Sequence, residues 1–221
     1  MDISPLWISV KVAMLATFIT FFSGIYAAHL VMKVKHCRGL IDGIFTLPLV
    51  LPPTVVGFFL LLIFGKNSFI GQILAFFDAG VVFSWVGAVI ASTVVSFPLM
   101  YRTVRGAFEQ IDISLVYAAR TLGMSERRIF WRLIIPLSWP GIAAGAILAF
   151  ARALGEFGAT IMLAGNIPGK TRTMSVAVYS AVQAGDRALA YRWVAVIMVI
   201  SFVIIILLNY WLGYQNRLAK K

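Results

Sequence analysis

Arg152 and Glu156 stand four residues apart inside a long apolar stretch of this 221-residue chain. Residues four apart lie on one face of a helix, so the guanidinium and the carboxylate can form an ion pair. A charge among apolar residues is costly unless it is paired or faces water. Two functions are open to the pair: Arg152 shapes a route for an anion, or the pair is internal and fixes helix packing.

Side chains that would support catalysis or metal binding are few. The two histidines, His29 and His36, are too few and too separated for an active site, and one cysteine, Cys37, cannot build a disulfide or a thiolate metal site. The string Gly165 to Thr171 resembles a phosphate-binding loop, but it has one residue too few between its glycines and no strand precedes it. We predict that the chain is not an enzyme and has no ATP site or cofactor of its own.

The composition places the chain in a membrane. Hydrophobic residues make up 61% of the sequence and charged residues 12%, which excludes an ordinary soluble globule. A helix needs roughly 20 apolar residues to cross the bilayer. Five runs of that length occur: Val10 to Met32, Ile41 to Phe64, Val81 to Val104, Leu137 to Leu163 and Trp193 to Gly213. We predict an all-α integral membrane protein of five or six transmembrane helices, a single domain over residues 1–221.

The basic residues orient these spans. One side of the membrane carries Lys33, Lys35, Arg38, Arg102, Arg105, Arg120, Arg127, Arg128, Arg132, Arg217, Lys220 and Lys221, and the other carries Lys66, Lys170, Arg172, Arg187 and Arg192. The positive-inside rule therefore predicts an N-terminus outside and a C-terminus in the cytosol. The net charge of +11 serves topology and contacts with membrane lipid, and no nucleic acid partner is predicted.

Two spans carry residues that suit a pathway. Pro48, Pro52 and Pro53 each remove a backbone donor, so the second span is predicted to be kinked or broken. Pro52 and Pro53 are candidates for a gate or pathway wall, with a static kink as the alternative. In the third span Ser92 and Ser96 share a face, and they would line a mildly polar pore or serve as contacts between helices.

A polar segment separates the third and fourth spans. Asp112 or Ser114 can cap a helix, Ala118 and Ala119 offer a face poor in side chains, and Gly123 can end the helix in the left-handed conformation. Ser125 and Glu126 then suit a second helix start. The segment is predicted to form a helix, a glycine turn and a helix, while an ordinary Arg-rich connector is the plainer alternative.

This segment, with Leu133-Ile-Ile-Pro136 after it, resembles the cytoplasmic loop of ABC-importer permeases, where a short helix fits a groove on the ATPase. Four further strings are similar to the permease subunit of molybdate ABC importers. They are Leu47 to Gly57, Ser96 to Met100, Ala149 to Ile161 and Asn166 to Thr173. The similarity extends through nearly the whole chain.

The resemblance implies the type I ABC importer permease fold with a cytosolic coupling helix. It implies a homodimer in a bacterial inner membrane, two separate ATPases that bind ATP and Mg²⁺, and an extracytoplasmic oxyanion-binding protein. The ATPase-coupling loop would contain Ala118, Ala119, Gly123, Leu133 and Pro136. Molybdate is the substrate that the resemblance ranks first, and tungstate, sulfate or thiosulfate would be carried by the same mechanism.

A rival hypothesis is an ion-coupled secondary transporter. Such a protein is expected to carry acidic groups or broken helices at mid-membrane as coupling-ion sites. Glu156 is the one acidic candidate clearly within a span, and Arg152 is expected to occupy it. Co-purification of a stoichiometric ATPase discriminates the two hypotheses, because only the ABC importer requires that partner.

Overall fold

The computed structural model describes residues 2–34, 36–77 and 80–218. Lys35, Lys220 and Lys221, which the topology prediction counted, lie outside these residues. Within the described ranges all regular structure is helical: α1 (Ser4–Lys33), α2 (Arg38–Val50), α3 (Pro53–Phe64), α4 (Phe69–Phe76), α5 (Trp85–Glu109), α6 (Ile113–Thr121), α7 (Glu126–Ile129), a π-helical segment (Phe130–Ile134), α8 (Ile135–Leu154), α9 (Gly158–Leu163), α10 (Met174–Gln183) and α11 (Arg187–Leu218).

Four helical runs in the described part of the chain are long and apolar enough to cross a membrane. They are α1, α5, the continuous run Glu126–Leu154, and α11 over Arg187–Leu207. Helices α2 and α3 pass the same test only together, and they are bent by 111° where they meet. The predicted five spans are confirmed when this bent pair is counted as one.

Helices α1, α5 and α8 form the centre of the bundle. α1 and α5 run parallel, since Val12 packs near Ala88 and Gly24 lies against Met100. α8 runs antiparallel to both, since Gly141 lies against Ala107 and Gly145 lies against Met100. One end of the bundle carries α10 and the start of α1, and we call it the α10 end. The opposite end carries α6, and we call it the α6 end.

The short apolar segment after Gly165 forms a helix, α10. α10 closes the α10 end of the bundle, and the backbone N–H of Met174 donates to the Ser9 hydroxyl of α1 at 2.8 Å. Both residues are buried. With ten residues, α10 is too short to span a bilayer.

The second span is broken, as its prolines predict. α2 ends at Val50, and α3 begins at Pro53 after Pro52 in an extended-type conformation. Neither Pro52 nor Pro53 can donate a backbone hydrogen bond to the preceding turn, so the helix cannot continue through them. Pro48 lies inside α2 without ending it.

The prediction of one helix from Leu137 to Leu163 is wrong at both ends. The helix begins eleven residues earlier, at Glu126, and passes through the π-helical segment into α8. Pro136 explains the wider π turn, because its ring would clash with the carbonyl four residues before it in a regular α-helix. At the other end α8 stops at Leu154, and Gly155 and Glu156 form a turn before α9.

Candidate functional site

The two broken spans meet at their breaks. A Cβ on Gly57 of α3 would lie 2.7 Å from the Ala159 Cα of α9, and a Cβ on Gly158 would lie 2.9 Å from the Pro53 Cβ. Such distances are shorter than van der Waals contact, so each site requires glycine for this approach. We call the break at Pro52 and Pro53, the turn at residues 155–157, and the contacts of Pro53 and Gly57 with Gly158 and Ala159 the break junction.

Glu156 lies buried in the break junction with 2% of its surface exposed. Its Oε1 accepts a hydrogen bond from the Ala159 backbone N–H at 2.8 Å, and this caps the start of α9. Its Oε2 lies 2.7 Å from Nη1 of Arg152, whose side chain is 29% exposed. The predicted ion pair is therefore present, although Glu156 follows the helix that carries Arg152 instead of lying within it.

Ser92 and Ser96 lie on α5, which packs beside the break junction. Both are buried, and the Ser96 hydroxyl donates to the Ser92 carbonyl at 2.7 Å. Their neighbours Ala91 and Val95 belong to the same apolar cluster as Ala159 of α9. In the single chain the two serines therefore occupy an interior between helices, and a pathway role for them stays a prediction.

The segment between α5 and α8 forms the predicted helix, glycine turn and helix. The Asp112 carboxylate accepts the Ser114 N–H at 2.9 Å and caps α6, and this hydrogen bond lowers the pKa of Asp112. Gly123 has φ of +75°, in the left-handed region that glycine favours. The Met124 N–H reaches back to the Ala119 carbonyl at 3.1 Å, which closes the turn. Residues 112–129 are here called the α6–α7 loop.

An ion pair spans the glycine turn. The Arg120 guanidinium donates to both carboxylate oxygens of Glu126, at 2.7 and 3.2 Å, and this contact raises the pKa of Arg120. Both side chains are largely exposed, so the pair adds little stability. Its main effect is to fix the orientation of α7 relative to α6. The carboxylate expected to cap α7 thus ties α7 to α6.

The predicted loop residues differ in their placement. Ala118 is exposed and Ala119 is buried, so only one of the two alanines lies at the surface. Leu133 is half-buried in the π-helical segment, and Pro136 is exposed at the start of α8. Both therefore lie on the helix that leaves the α6–α7 loop.

Large apolar side chains cover the outer surface of α6. Leu115 is 45% exposed, Tyr117 55% and Leu122 81%. Exposed apolar surface beside polar residues is typical of a contact site for another protein. Sequence reasoning missed Leu122, for which its position directly before the turn glycine was the available signal. We call Leu115, Tyr117, Ala118 and Leu122 the α6 surface.

Sequence reasoning also missed the glycines of the break junction. Gly57 closes the string that contains Pro52 and Pro53, and Gly158 follows Glu156 by two residues. A glycine near each break was the available signal, but pairing two distant breaks required the fold.

A family model described as "binding-protein-dependent transport system inner membrane component" matches residues 20–220. The chain belongs to this family. It is 45% identical over 204 residues to the putative molybdenum transport system permease protein YvgM of Bacillus subtilis, covering 91% of this chain and 90% of that protein. It is 43% identical over 212 residues to the molybdenum transport system permease protein ModB of Escherichia coli K12, covering 95% and 93%.

A further relative carries a different substrate in its name. The sulfate transport system permease protein CysT of Salmonella typhimurium is 34% identical over 216 residues, covering 96% of this chain and 77% of that protein. Its identity is lower than that of the two molybdenum-named relatives given above.

Solved structures share the fold at low sequence identity. A chain of the MetNI methionine ABC transporter, in inward-facing conformations, gives a TM-score of 0.74 at 15% identity and covers 95% of this chain and 94% of its own. A chain of a bacterial ABC transporter involved in the import of alginate gives 0.77 at 18% identity, covering 96% and 79%. The type I ABC importer permease fold expected from the sequence is therefore confirmed.

Proposed function

We propose that this chain is the membrane-spanning subunit of an ATP-driven importer of molybdate. Two copies form the pathway, two separate ATPases supply ATP hydrolysis with Mg²⁺, and an extracytoplasmic binding protein delivers the oxyanion. The observation that carries the proposal is the α6–α7 loop, a capped helix with an exposed apolar surface at one end of an apolar bundle. Identities of 43–45% to two molybdenum-named permeases support the substrate.

The α6 surface is the contact for the ATPase in this proposal. The Asp112 cap and the Gly123 turn fix the two ends of α6. Such a helix can transmit a movement of the ATPase to the bundle without unwinding. Leu122 and Tyr117 provide apolar side chains that a groove would bury. Ala118, Ala119, Gly123, Leu133 and Pro136 are then the residues that shape the coupling loop and connect it to α8.

The break junction is the gate in this proposal. Helix interruptions at membrane depth persist where surrounding protein satisfies the freed backbone groups. Glu156 does this for the start of α9, and Pro53 packs directly against Gly158. Pro52, Pro53, Ser92, Ser96, Arg152 and Glu156 are the candidate residues of this gate or of the pathway beside it.

The orientation follows from charge. The α6 end carries most of the basic residues, so it faces the cytosol of a bacterium, and the α10 end faces outward. The N-terminus of α1 is then outside and the C-terminus is cytosolic. This places the α6 surface on the side where ATP is available.

An ion-coupled transporter is disfavoured by the contacts of Glu156. One of its oxygens accepts the Ala159 N–H, and the other lies at ion-pair distance from Arg152 without a well-directed hydrogen bond. A coupling-ion site needs a carboxylate that can exchange its partner. Sulfate is the second candidate substrate, on the 34% identity to the sulfate permease CysT.

The test is uptake of radiolabelled molybdate into proteoliposomes that contain this chain with the ATPase and binding protein encoded beside it. We expect uptake that requires ATP and Mg²⁺ and that tungstate blocks and sulfate does not. Block by sulfate would favour the second candidate. Uptake that an ion gradient drives without ATP would overturn the proposal.

A further inference from the structure

Helix α2 is held by few contacts. None of its residues is buried, and its outward face exposes large apolar side chains such as Leu40 and Val50. Its inward face contacts α5 through Phe45, whose ring lies 5.5 Å from that of Phe97 and 5.2 Å from that of Tyr101. Within the chain, Ile41 and Phe45 are the apolar contacts of α2 with the core, and polar contacts provide the rest of its attachment to α5.

Those polar contacts form a ladder between α2 and α5. The Asp42 carboxylate accepts a hydrogen bond from the Tyr101 hydroxyl and pairs with Arg105. Arg105 also donates to Glu109 at 2.9 Å, and Glu109 pairs with Arg38. We call Arg38, Asp42, Tyr101, Arg105 and Glu109 the α2–α5 clasp.

The clasp follows from the spacing of its residues. Arg38 and Asp42 are one turn apart on α2, while Tyr101, Arg105 and Glu109 are successive turns of α5. Because α2 runs antiparallel to α5, the basic end of one row faces the acidic end of the other. The Asp42 and Arg105 side chains are about one-fifth exposed, so solvent screens this pair less than the more exposed Arg120–Glu126 pair of the α6–α7 loop.

The clasp joins the two helices that lead to the two candidate sites. Glu109 ends α5, and only Gln110, Ile111 and the capping residue Asp112 separate it from α6. At its other end α2 leads to Pro52 and the 111° bend into α3, which packs on α9. A displacement of α6 can therefore reach the Pro52 side of the break junction through α5, the clasp and α2, while α5 also packs on α9 directly.

We propose that the α2–α5 clasp is the connection that couples movement of α6 to the break junction. Its five residues are positioning residues, since none has to touch the transported ion. This inference rests on the proposed function for its transport consequence. Without the clasp, ATP hydrolysis would continue while α2 and the proline break no longer follow α5.

The test in transport is a charge swap between Arg38 and Glu109. Arg38→Glu and Glu109→Arg each place like charges opposite one another, and we expect each to lower the uptake per ATP hydrolysed about fivefold or more. The double variant Arg38→Glu/Glu109→Arg restores the pair between these two positions but leaves Arg105 beside a second arginine, so it should recover part of the coupling and exceed either single variant. Arg102→Ala is the matched control, because Arg102 is an exposed arginine of α5 outside the clasp.

A gentler variant addresses failure to fold. Tyr101→Phe removes one hydroxyl and keeps the ring that packs on Phe45, so it should assemble with the ATPase and still lower the coupling ratio. Wild-type coupling in the single charge variants and in Tyr101→Phe, or a double variant coupled no better than either single variant although all of them assemble, would overturn the proposal. If the wild type itself takes up no molybdate, that result would instead count against the proposed function.

A measurement without substrate tests the clasp separately. Spin labels at exposed positions Leu40 of α2 and Gln110 after α5, in a Cys37→Ser background, report the distance between the two helices. We expect a narrow distance distribution in the wild type, a broad one in Arg38→Glu and Tyr101→Phe, and one of intermediate width in the charge-swapped double variant, which regains the pair between positions 38 and 109 but loses the contact of Arg105 with Glu109. A distribution that is equally narrow in all four proteins would overturn the clasp whether or not the chain transports molybdate.

Discussion

The α6–α7 loop and the break junction solve opposite structural problems. The loop exposes apolar side chains on a short helix whose ends are fixed by Asp112 and Gly123, and open space surrounds Gly123. The junction buries a charged side chain between two helix starts, and Gly57 and Gly158 have no room for a Cβ. The exposed apolar surface of the loop suits a partner that binds reversibly. The close-packed helices of the junction, in contrast, either move together as one body or separate.

The difference also predicts how each region responds to substitution. Changes in the junction should act on stability, because they leave a charge or an atom without space. Changes in the loop should act on partner binding and on local order, because little else depends on those side chains. The predictions below test this division.

The largest effect is expected at the ion pair of the junction. Arg152→Ala removes the counter-charge of the buried Glu156 carboxylate and should cost about 3–5 kcal/mol of stability. Adding Glu156→Gln removes the stranded charge and keeps an oxygen to accept the Ala159 N–H, so this double variant should regain most of the loss. Both effects are measured by heating the purified permease and using size-exclusion chromatography to determine how much folded protein remains at each temperature.

The same variants decide the question that the sequence left open for Arg152. A stable Arg152→Ala protein that no longer takes up molybdate would assign Arg152 to the anion route. A destabilised protein that the Glu156→Gln change rescues would assign the pair to helix packing.

A smaller loss is expected where the two breaks touch. Gly57→Ala forces the α3 and α9 backbones apart and should cost about 1–3 kcal/mol, as overpacking does elsewhere. Gly43→Ala is the matched control, since Gly43 lies in a helix of the same broken span with nothing near its Cβ position. The thermal midpoint should fall for Gly57→Ala alone; equal midpoints for the two variants would contradict the close contact.

The smallest effect on stability is expected in the loop. Gly123→Ala places a side chain at φ of +75°, which costs roughly 1–2 kcal/mol, and it should loosen the turn without unfolding the bundle. Gly123→Asn should be milder, because asparagine tolerates this conformation. Faster tryptic cleavage at the exposed Arg120 and Arg127 in Gly123→Ala would report the loosening. Cleavage as slow as in the wild type would show that the turn does not depend on glycine.

The loop was more predictable from sequence than the junction. The Asp112 cap and the Gly123 turn are local signals, and each specifies the backbone within a few residues of itself. The break at Pro52 is equally local and was predicted. The break at Gly155 was missed because Arg152 and Glu156 have helical spacing, and their ion pair forms at that spacing even though the helix has ended.

Contacts between distant segments were the part that sequence reasoning could not reach. The approach of Gly57 to Ala159 and the clasp between Asp42 and Arg105 join residues from different spans. In the sequence alone, Gly57 is an ordinary glycine of an apolar span, and Arg105 is one of many basic residues that set the topology. Only the packing of the spans tells which glycine meets which backbone and which arginine meets which acid.

The measurement that tests the account most directly is the affinity of the purified permease for its ATPase, compared between the wild type and Leu122→Asp. Leu122 is 81% exposed, so this change should leave the bundle intact and lower the affinity about tenfold or more. Ile3→Asp, at a residue 67% exposed at the α10 end, is the matched control and should bind as the wild type does. Equal affinity of Leu122→Asp and the wild type would contradict the assignment of the α6 surface as the ATPase contact.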